Sequence, residues 1–447
     1  MPQDAQGNAL TIASDEAARA YDHVVEGFVR QRFDAGARLK AALALDPQAP
    51  LLQAMGGLFA ALAFDRGMMA RAEAALARAA ALPANDRERA HIAALRALTE
   101  GRVDAALAIW EHILAEHPRD LLAFRIHHFK AFWTGQPERM LSVVEGVLPR
   151  WSEELPGWGA ILACRCFANE ECGSYVVAEH AGRAAVALDP GDLWATHGVA
   201  HVLEMQGRRT EGLAWLSAGE PHWEGGNNLM HHLWWHQAMF HVERGEFDAV
   251  LGLYDRRFRD HGSPVTQAIP DLYIDVQNAA SMLWRLQRQG VAVGDRWTEI
   301  ADKAEARIGD TLSAFTQPHW MMALAATGRG AAARRLVAAL EEAGRGNTPH
   351  AVILREAALP ACVAVLAHAE GRHAEAVAAM RPALGGMYRL GGSHAQQDVL
   401  EQLFLDAAMK AGLHDDARLL LERAAGRHPV PPERRIGYAE AARALLN

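Results

Sequence analysis

The apolar residues of this chain recur with the spacing of an α-helix, and short turns containing glycine or proline interrupt them at regular intervals. The segment from Arg87 to Asp120 shows the unit most clearly. Ala90 and Ala94 leave room for a close neighbour, Gly101 lies at a turn, and Pro118 ends the second apolar stretch. This pattern predicts two helices that pack against each other across a tight turn.

The two-helix unit repeats along the chain. Similar segment endings occur at Pro47, Pro118 and Pro190, which are 71 and 72 residues apart. Each interval holds two units of about 34–36 residues, the length of a tetratricopeptide repeat. The sequence therefore predicts an all-α fold, a tetratricopeptide-type helix–turn–helix solenoid that forms a right-handed superhelix of about ten helix pairs.

The repeats are expected to form one continuous solenoid, because no disordered linker separates them. The predicted ranges are a single solenoid over 1–447, with regular repeats over 1–258, an irregular helical connection over 259–315 and C-terminal repeats over 316–447. The glycine-rich stretch 385–396 is predicted to be either a lid or a connector.

Composition narrows the expected environment and partners. Hydrophobic residues make up 50% of the chain, so a large core is expected. The net charge of −9 is spread over both signs, which argues against nucleic-acid binding. Four cysteines do not indicate a disulfide framework, and neither a secretory signal nor a membrane-spanning stretch is predicted. We therefore expect a cytoplasmic protein with no membrane partner, and the sequence leaves a homodimer open.

The least ordinary stretch of the chain lies between residues 194 and 244, where two predicted helices flank a Gly/Asn-rich break. In the first of these helices His197, His201 and Glu204 occur at i, i+4 and i+7. That spacing places the three side chains on one helical face, which in most helices is apolar. The pattern therefore indicates a polar site.

The second of these helices carries His232 and His236, again one turn apart. In tetratricopeptide arrays the first helix of each pair lines the concave surface, and both histidine-bearing helices are predicted first helices. We therefore predict a polar pocket on the concave face, lined by histidine, glutamate and tryptophan side chains.

One interpretation is that this pocket binds a small ligand and supports acid–base chemistry of the hydrolase or lyase type. The predicted catalytic residues are His201, His232, His236, Glu204 and Asp275, of which the two carboxylates orient the imidazoles. The predicted ligand-binding residues are His197, Trp194, Trp235, His128, His319 and Asp398. The alternative is a non-catalytic scaffold that binds a partner protein or peptide in the groove, so the sequence leaves open whether the protein is an enzyme.

Two further interpretations concern the same histidines. A His-x3-His pair can chelate a metal ion, and a zinc-like ion at His197, His201 and His236 is the lesser alternative. The chain lacks the HExxH pattern of metalloproteases, and no other cofactor is expected. The side chains could instead form a satisfied hydrogen-bonded core without any ligand.

Several segments of the chain resemble the tetratricopeptide repeat protein 38 family, from about Asp15 to the last helices. They include WATHGVAHVLEMQGRRTEGLAWL, NNLMHHLWWHQAMFHVERGEFDAVLGLYD and FTQPHWMMALAATG. The resemblance implies a helical-repeat fold and does not imply a particular reaction. By this resemblance the motif positions are His197, His201, Glu204, His232, His236, Asp275, His319 and Asp398.

Overall fold

The computed structural model describes residues 2–446, and over these residues the secondary structure is helical apart from two isolated β-bridges. The α-helices in chain order are α1 (Asp15–Val29), α2 (Ala35–Leu45), α3 (Pro50–Ala61), α4 (Arg66–Ala80), α5 (Asp86–Thr99), α6 (Val103–Glu116), α7 (Leu121–Trp133), α8 (Pro137–Val147), α9 (Trp158–Glu171), α10 (Tyr175–Leu188), α11 (Leu193–Met205), α12 (Arg209–Gly219), α13 (Leu229–Val242), α14 (Phe247–Leu253), α15 (Pro264–Ala268), α16 (Tyr273–Arg288), α17 (Trp297–Ala306), α18 (Thr316–Ala326), α19 (Gly330–Ala343), α20 (Pro349–Ile353), α21 (Leu359–Ala369), α22 (His373–Met380), α23 (His394–Lys410), α24 (His414–Arg427) and α25 (Ala439–Leu445). The prediction of an all-α fold is confirmed.

The helices pack in consecutive pairs, as the two-helix unit predicts. Early in the chain α1 packs on α2, α3 on α4, and α5 on α6. The same pairing recurs for α9 with α10 and later for α21 with α22 and α23 with α24. Each pair buries the apolar face of both helices, which is how a helical repeat acquires its core.

The chain forms two compact units. The first unit extends to Val199 and includes Gly219–Met230, and the second contains Ala200–Ala218 and the chain from His231 onward. The range 259–315 holds α15, α16 and α17. A single continuous solenoid with boundaries at 258 and 315 stays a prediction.

In the second unit, four helices form a layer of neighbours. Helix α16 packs against α18 and α23, and α21 also packs against α18 and α23. These helices are first members of their pairs, and they carry most of the buried polar side chains of this unit. The layer therefore sets the surroundings of the candidate site.

Close packing of α12 on α13 fixes the position of the helix that carries His232 and His236. Gly207 has a φ of 68° in the turn before α12, a conformation that costs glycine little. Within α12, a Cβ atom at Gly212 would lie only 2.2 Å from the ring of Phe240 on α13. A side chain larger than hydrogen at residue 212 would therefore push the two helices apart.

The glycine-rich stretch 385–396 is ordered. Its first half belongs to a 3₁₀-helix, Arg381–Leu390, and α23 begins after it with a capping box between Ser393 and Gln396. Whether this stretch acts as a lid or as a connector stays a prediction.

One helical run, Pro349–Ala369, is long and apolar enough to cross a membrane by length and composition alone. Half of its most apolar window is buried inside the protein, and the core helix of a soluble protein passes the same test. The expected absence of a membrane partner stays a prediction.

Candidate functional site

Three buried histidines converge in the second unit, and we call them the imidazole cluster: His201, His232 and His236. The end of α11 supplies His201, and one face of α13 supplies the other two, one turn apart. A nitrogen of each ring lies within 4.8 Å of a nitrogen of both others. The ring centroid of His236 is 4.5 Å from that of His201 and 4.7 Å from that of His232.

Two of the three rings are hydrogen-bonded through Nδ1 to side chains that surround the cluster. The Nδ1 atom of His236 is hydrogen-bonded to Oε2 of Glu204 at 2.8 Å. The Nδ1 atom of His232 donates to Oδ1 of Asn278 at 2.9 Å. Since a neutral imidazole carries one N–H, this bond places the lone pair of His232 on Nε2. The indole of Trp235 stacks on His232 at 5.1 Å with an interplanar angle of 10°, which fixes the ring plane.

Burial keeps the cluster uncharged. Burial lowers the pKa of His236 to about 3, and it lowers the pKa values of His201 and His232 well below their ordinary value. Burial also raises the pKa of Glu204 to about 8, although the guanidinium of Arg285 opposes the shift. The three imidazoles are therefore neutral near pH 7, which is the form that binds metal ions.

A small cavity of about 40 Å³ adjoins the Glu204 side of the cluster. Its lining includes Glu204, His394, Asp398 and Arg435. A space of this size holds a water molecule or a ligand of a few atoms.

The predicted ligand-binding residue Asp398 is the centre of a buried ion network. Its carboxylate accepts hydrogen bonds from Tyr438 at 2.5 Å and Gln402 at 2.6 Å, and it pairs with Arg435. Arg285 lies 3.5 Å away. Burial raises the pKa of Asp398, but the two guanidinium groups outweigh it and lower the pKa to about 2.

Two other predicted residues of the second unit have different partners. Asp275 is hydrogen-bonded to His231, with Oδ2 at 3.2 Å from Nδ1, and its role in orienting an imidazole of the cluster stays a prediction. His319 donates from Nδ1 to the carbonyl oxygen of Phe315 at 2.8 Å. Both residues are buried, so their hydrogen bonds stabilise α16 and α18, the helices that carry them.

The remaining predicted residues lie in the first unit, where they form an aromatic cluster around Phe167. The ring centroid of Phe167 is 4.7 Å from that of Trp194, 5.2 Å from His197 and 6.0 Å from His128. The guanidinium of Arg125 lies 4.6 Å above Trp194. These contacts are those of a packed aromatic core, and His197 precedes His201 by one turn of α11.

Sequence reasoning missed Asn278, which holds His232. Asn278 lies 46 residues from His232 along the chain, and no motif connects the two. The available signal was its spacing: Asp275 and Asn278 are three residues apart on α16 and therefore share a face.

No family model matches the chain. Over 94% of its length it is similar to the human IFIT1 dimer with m7Gppp-AAAA, with 15% identity, a TM-score of 0.39 and 96% of that chain covered. It is also similar to the TPR domain of P58(IPK), with 12% identity and a TM-score of 0.18, over 89% of this chain and 99% of that one. The helices of the chain itself, which pack in consecutive pairs, are those of a tetratricopeptide-like helical repeat protein. Likenesses this distant carry no argument about function.

Proposed function

We propose that the imidazole cluster binds a divalent transition-metal ion and, through it, a small polar ligand. The observation that carries the proposal is the convergence of three buried imidazoles whose nitrogens lie within 4.8 Å of one another. Three nitrogen ligands at about 2.1 Å from a tetrahedral ion are about 3.4 Å apart, so a contraction of little more than an ångström completes the set.

The hydrogen bonds around the cluster support the same conclusion. Histidines that bind metal ions commonly donate their second N–H to a carboxylate or an amide oxygen, which fixes both tautomer and ring orientation. Glu204 and Asn278 have this relation to His236 and His232. Such an outer shell is expected for a metal site, although buried histidines of a packed core are also hydrogen-bonded, so it supports the proposal only together with the convergence of the rings.

A site with three protein ligands leaves a coordination position for water or substrate. The ion would lower the pKa of a bound water, which supplies the hydrolase-type chemistry expected from the sequence. The 40 Å³ cavity beside Glu204 fits a ligand of a few atoms, and Arg435 and Asp398 give it polar walls. We infer that the substrate is small and polar.

We also propose that the chain belongs to the tetratricopeptide repeat protein 38 family. This proposal rests on the motif residues given in the sequence analysis.

A second candidate is acid–base chemistry without a metal ion. It is favoured by the hydrogen bond between Glu204 and His236 and by the opposite directions of their pKa shifts. In this case Glu204 is protonated near neutral pH and donates its proton to the substrate as a general acid, and the hydrogen bond to His236 orients its carboxyl group. Metal analysis separates the two candidates, because only the first requires an ion.

The test is the metal content of protein purified without chelators and reloaded with Zn²⁺ or Co²⁺, measured by mass spectrometry of the metal. We expect close to one ion per chain, and the visible spectrum of a four-coordinate site after loading with Co²⁺. The variants His232→Asn and His236→Gln should lose the ion. His319→Gln is the matched control, because His319 is equally buried but hydrogen-bonded to backbone.

Substitutions of Glu204 and Asn278, which are hydrogen-bonded to the cluster histidines, make this test more specific. Glu204→Gln and Asn278→Ala should keep the ion but weaken its affinity by about tenfold to a hundredfold. Equal metal content in His236→Gln and His319→Gln would overturn the proposal, and folding of each variant is checked by circular dichroism. A protein that stays metal-free but shows turnover lost in Glu204→Gln would favour the acid–base candidate.

A further inference from the structure

A second cavity in the second unit, of about 670 Å³, has the size of a small-molecule site. We call it the tryptophan cavity. Its lining comes from α16, α17, α18, α21, α23 and α25, and the residues that matter here are Trp284, Arg288, Met322, His368, Asp406 and Lys410. Among the described residues, this lining includes no member of the imidazole cluster.

One wall of the tryptophan cavity gathers basic side chains around a single carboxylate. The Oδ2 atom of Asp406 is 2.6 Å from Nε2 of His368 and 2.8 Å from Nζ of Lys410. Its Oδ1 atom is 3.5 Å from Nε of Arg288. Burial raises the pKa of Asp406, but these partners outweigh it and hold that pKa well below the ordinary value. Asp406 is therefore an ionised carboxylate that faces three basic groups, and Glu440 adds a second carboxyl group to the lining.

The basic groups differ in the hydrogen bonds that they already make within the protein. Arg288 donates to the carbonyl oxygen of Gly437 at 2.5 Å and to Gln402 at 3.2 Å, so it anchors the C-terminal segment. The side chain of Lys410 is 51% exposed, and it is joined by an i,i+4 pair to Asp406, whose side chain is only 15% exposed. Because Asp406 is also bonded to His368, Lys410 can turn towards a ligand while this carboxylate keeps a partner.

The floor of the cavity is flat and apolar. Trp284 is half-buried, with the guanidinium of Arg288 at 5.9 Å from its ring. Met322 and Val365 are buried beside it. An aromatic face next to basic groups binds planar molecules that carry negative charge, since the ring supplies contact area and the cations supply orientation.

An ion network that only joined helices would be expected to be covered by neighbouring side chains. This network instead faces a space large enough for a ligand of ten or more heavy atoms, by the roughly 300–1,000 Å³ typical of ligand pockets. We infer that the tryptophan cavity binds a small organic anion with a flat apolar body, whose negative group contacts Lys410 and His368 and whose body lies against Trp284. This inference is independent of the proposed metal site.

The test compares an anion with a neutral molecule of the same shape. The probes are 1-naphthoate and 1-naphthalenemethanol, and their affinities for the full chain are measured by isothermal titration calorimetry. We expect naphthoate to bind about tenfold more tightly, because only its carboxylate can form an ion pair with Lys410 in addition to a hydrogen bond. In Lys410→Met this preference should disappear.

Lys303→Met is the matched control. Lys303 is also a lysine in an i,i+4 pair, at 2.7 Å from Glu299, and it does not line the tryptophan cavity. Its variant should keep the preference for naphthoate, and Trp284→Phe should keep the preference while reducing the change in tryptophan fluorescence on binding, since Trp297 also lines the cavity. The inference is overturned if both probes bind equally, if neither binds, or if the two lysine variants behave alike.

Discussion

Histidines of both units are paired with acidic or amide side chains, but they are arranged differently. In the first unit, Nε2 of His91 is 2.9 Å from Asp120, which also binds Arg87. His127 is likewise 3.0 Å from Glu111. In the second unit three imidazoles converge, and their partners hold the outer nitrogens.

The difference shows that a histidine–carboxylate pair is not by itself a sign of a site. The His91–Asp120 pair joins neighbouring helix pairs, since Asp120 also caps α7 through the N–H of Ala123 at 2.8 Å. Such a pair stabilises the fold by satisfying a buried carboxylate. In the imidazole cluster the hydrogen bonds orient the rings, and nitrogens of the three rings lie within 4.8 Å of one another. The convergence of several imidazoles, and not a single histidine–carboxylate pair, is therefore the feature that indicates a site.

Metal removal should produce the largest difference between the units. If the loaded protein binds its ion at a free concentration of a thousand times Kd, the ion stabilises the folded state by about 4 kcal/mol. Chelation should then increase backbone hydrogen exchange in residues 231–242 and in α16, and leave α5 and α6 unchanged. Mass spectrometry of exchanged peptides measures this, and an equal increase in both sets would contradict the comparison.

The change His91→Gln should have the next largest effect, and it should spare the metal site. It breaks a fully buried pair beside Arg87, so the free energy of unfolding should fall by about 3 kcal/mol. Urea denaturation measures the loss, and the metal content of the variant should equal that of the parent protein. A loss of the ion in this variant would show that the His91–Asp120 pair also affects metal binding, and would contradict the comparison.

A smaller effect concerns acid stability in the second unit. The pKa of Asp398 is lowered to about 2 in the folded state, from an ordinary value of 3.8, by Arg435 and Arg285 against the opposing effect of burial. A depressed carboxyl pKa contributes stability that is present above the unfolded value and lost as pH falls through the folded one. This contribution is roughly 2 kcal/mol, from about 1.4 kcal/mol per pKa unit.

Metal-free protein should therefore lose this stability between about pH 4 and pH 2. In Asp398→Asn the loss should be smaller by roughly that amount, whatever the starting stability of the variant. Urea denaturation at a series of pH values measures the slope. Asp120→Asn is the counterpart in the first unit, where His91 and Arg87 also hold the carboxyl pKa below its ordinary value against burial. An identical slope in Asp398→Asn and the parent protein would contradict the assignment.

Much of the helical architecture could be predicted from the chain alone. Turns such as that at Gly101 separate helices whose apolar periodicity is clear, and α5 and α6 begin and end close to the predicted positions. The spacing of His201 with Glu204, and of His232 with His236, also placed these side chains on common helical faces. Local spacing suffices there because one helix fixes both members of each pair.

The partners of those residues were harder to predict. Asp275 is bonded to His231, and the unpredicted Asn278 bonds to His232. The predicted zinc set of His197, His201 and His236 did not include His232, and it stays a prediction. The His368–Asp406 pair of the tryptophan cavity gave no local signal, because its members belong to different helix pairs.

The sequence by itself determined the helices, their turns and the faces on which the imidazoles lie, because these depend on residues a few positions apart. Only the tertiary structure decided which side chain meets which, since the bonds of His236, His231 and His232 span 32, 44 and 46 residues. It also decided how deeply each ring is buried. That depth makes the imidazoles neutral, and it depends on packing from helices that no local pattern specifies.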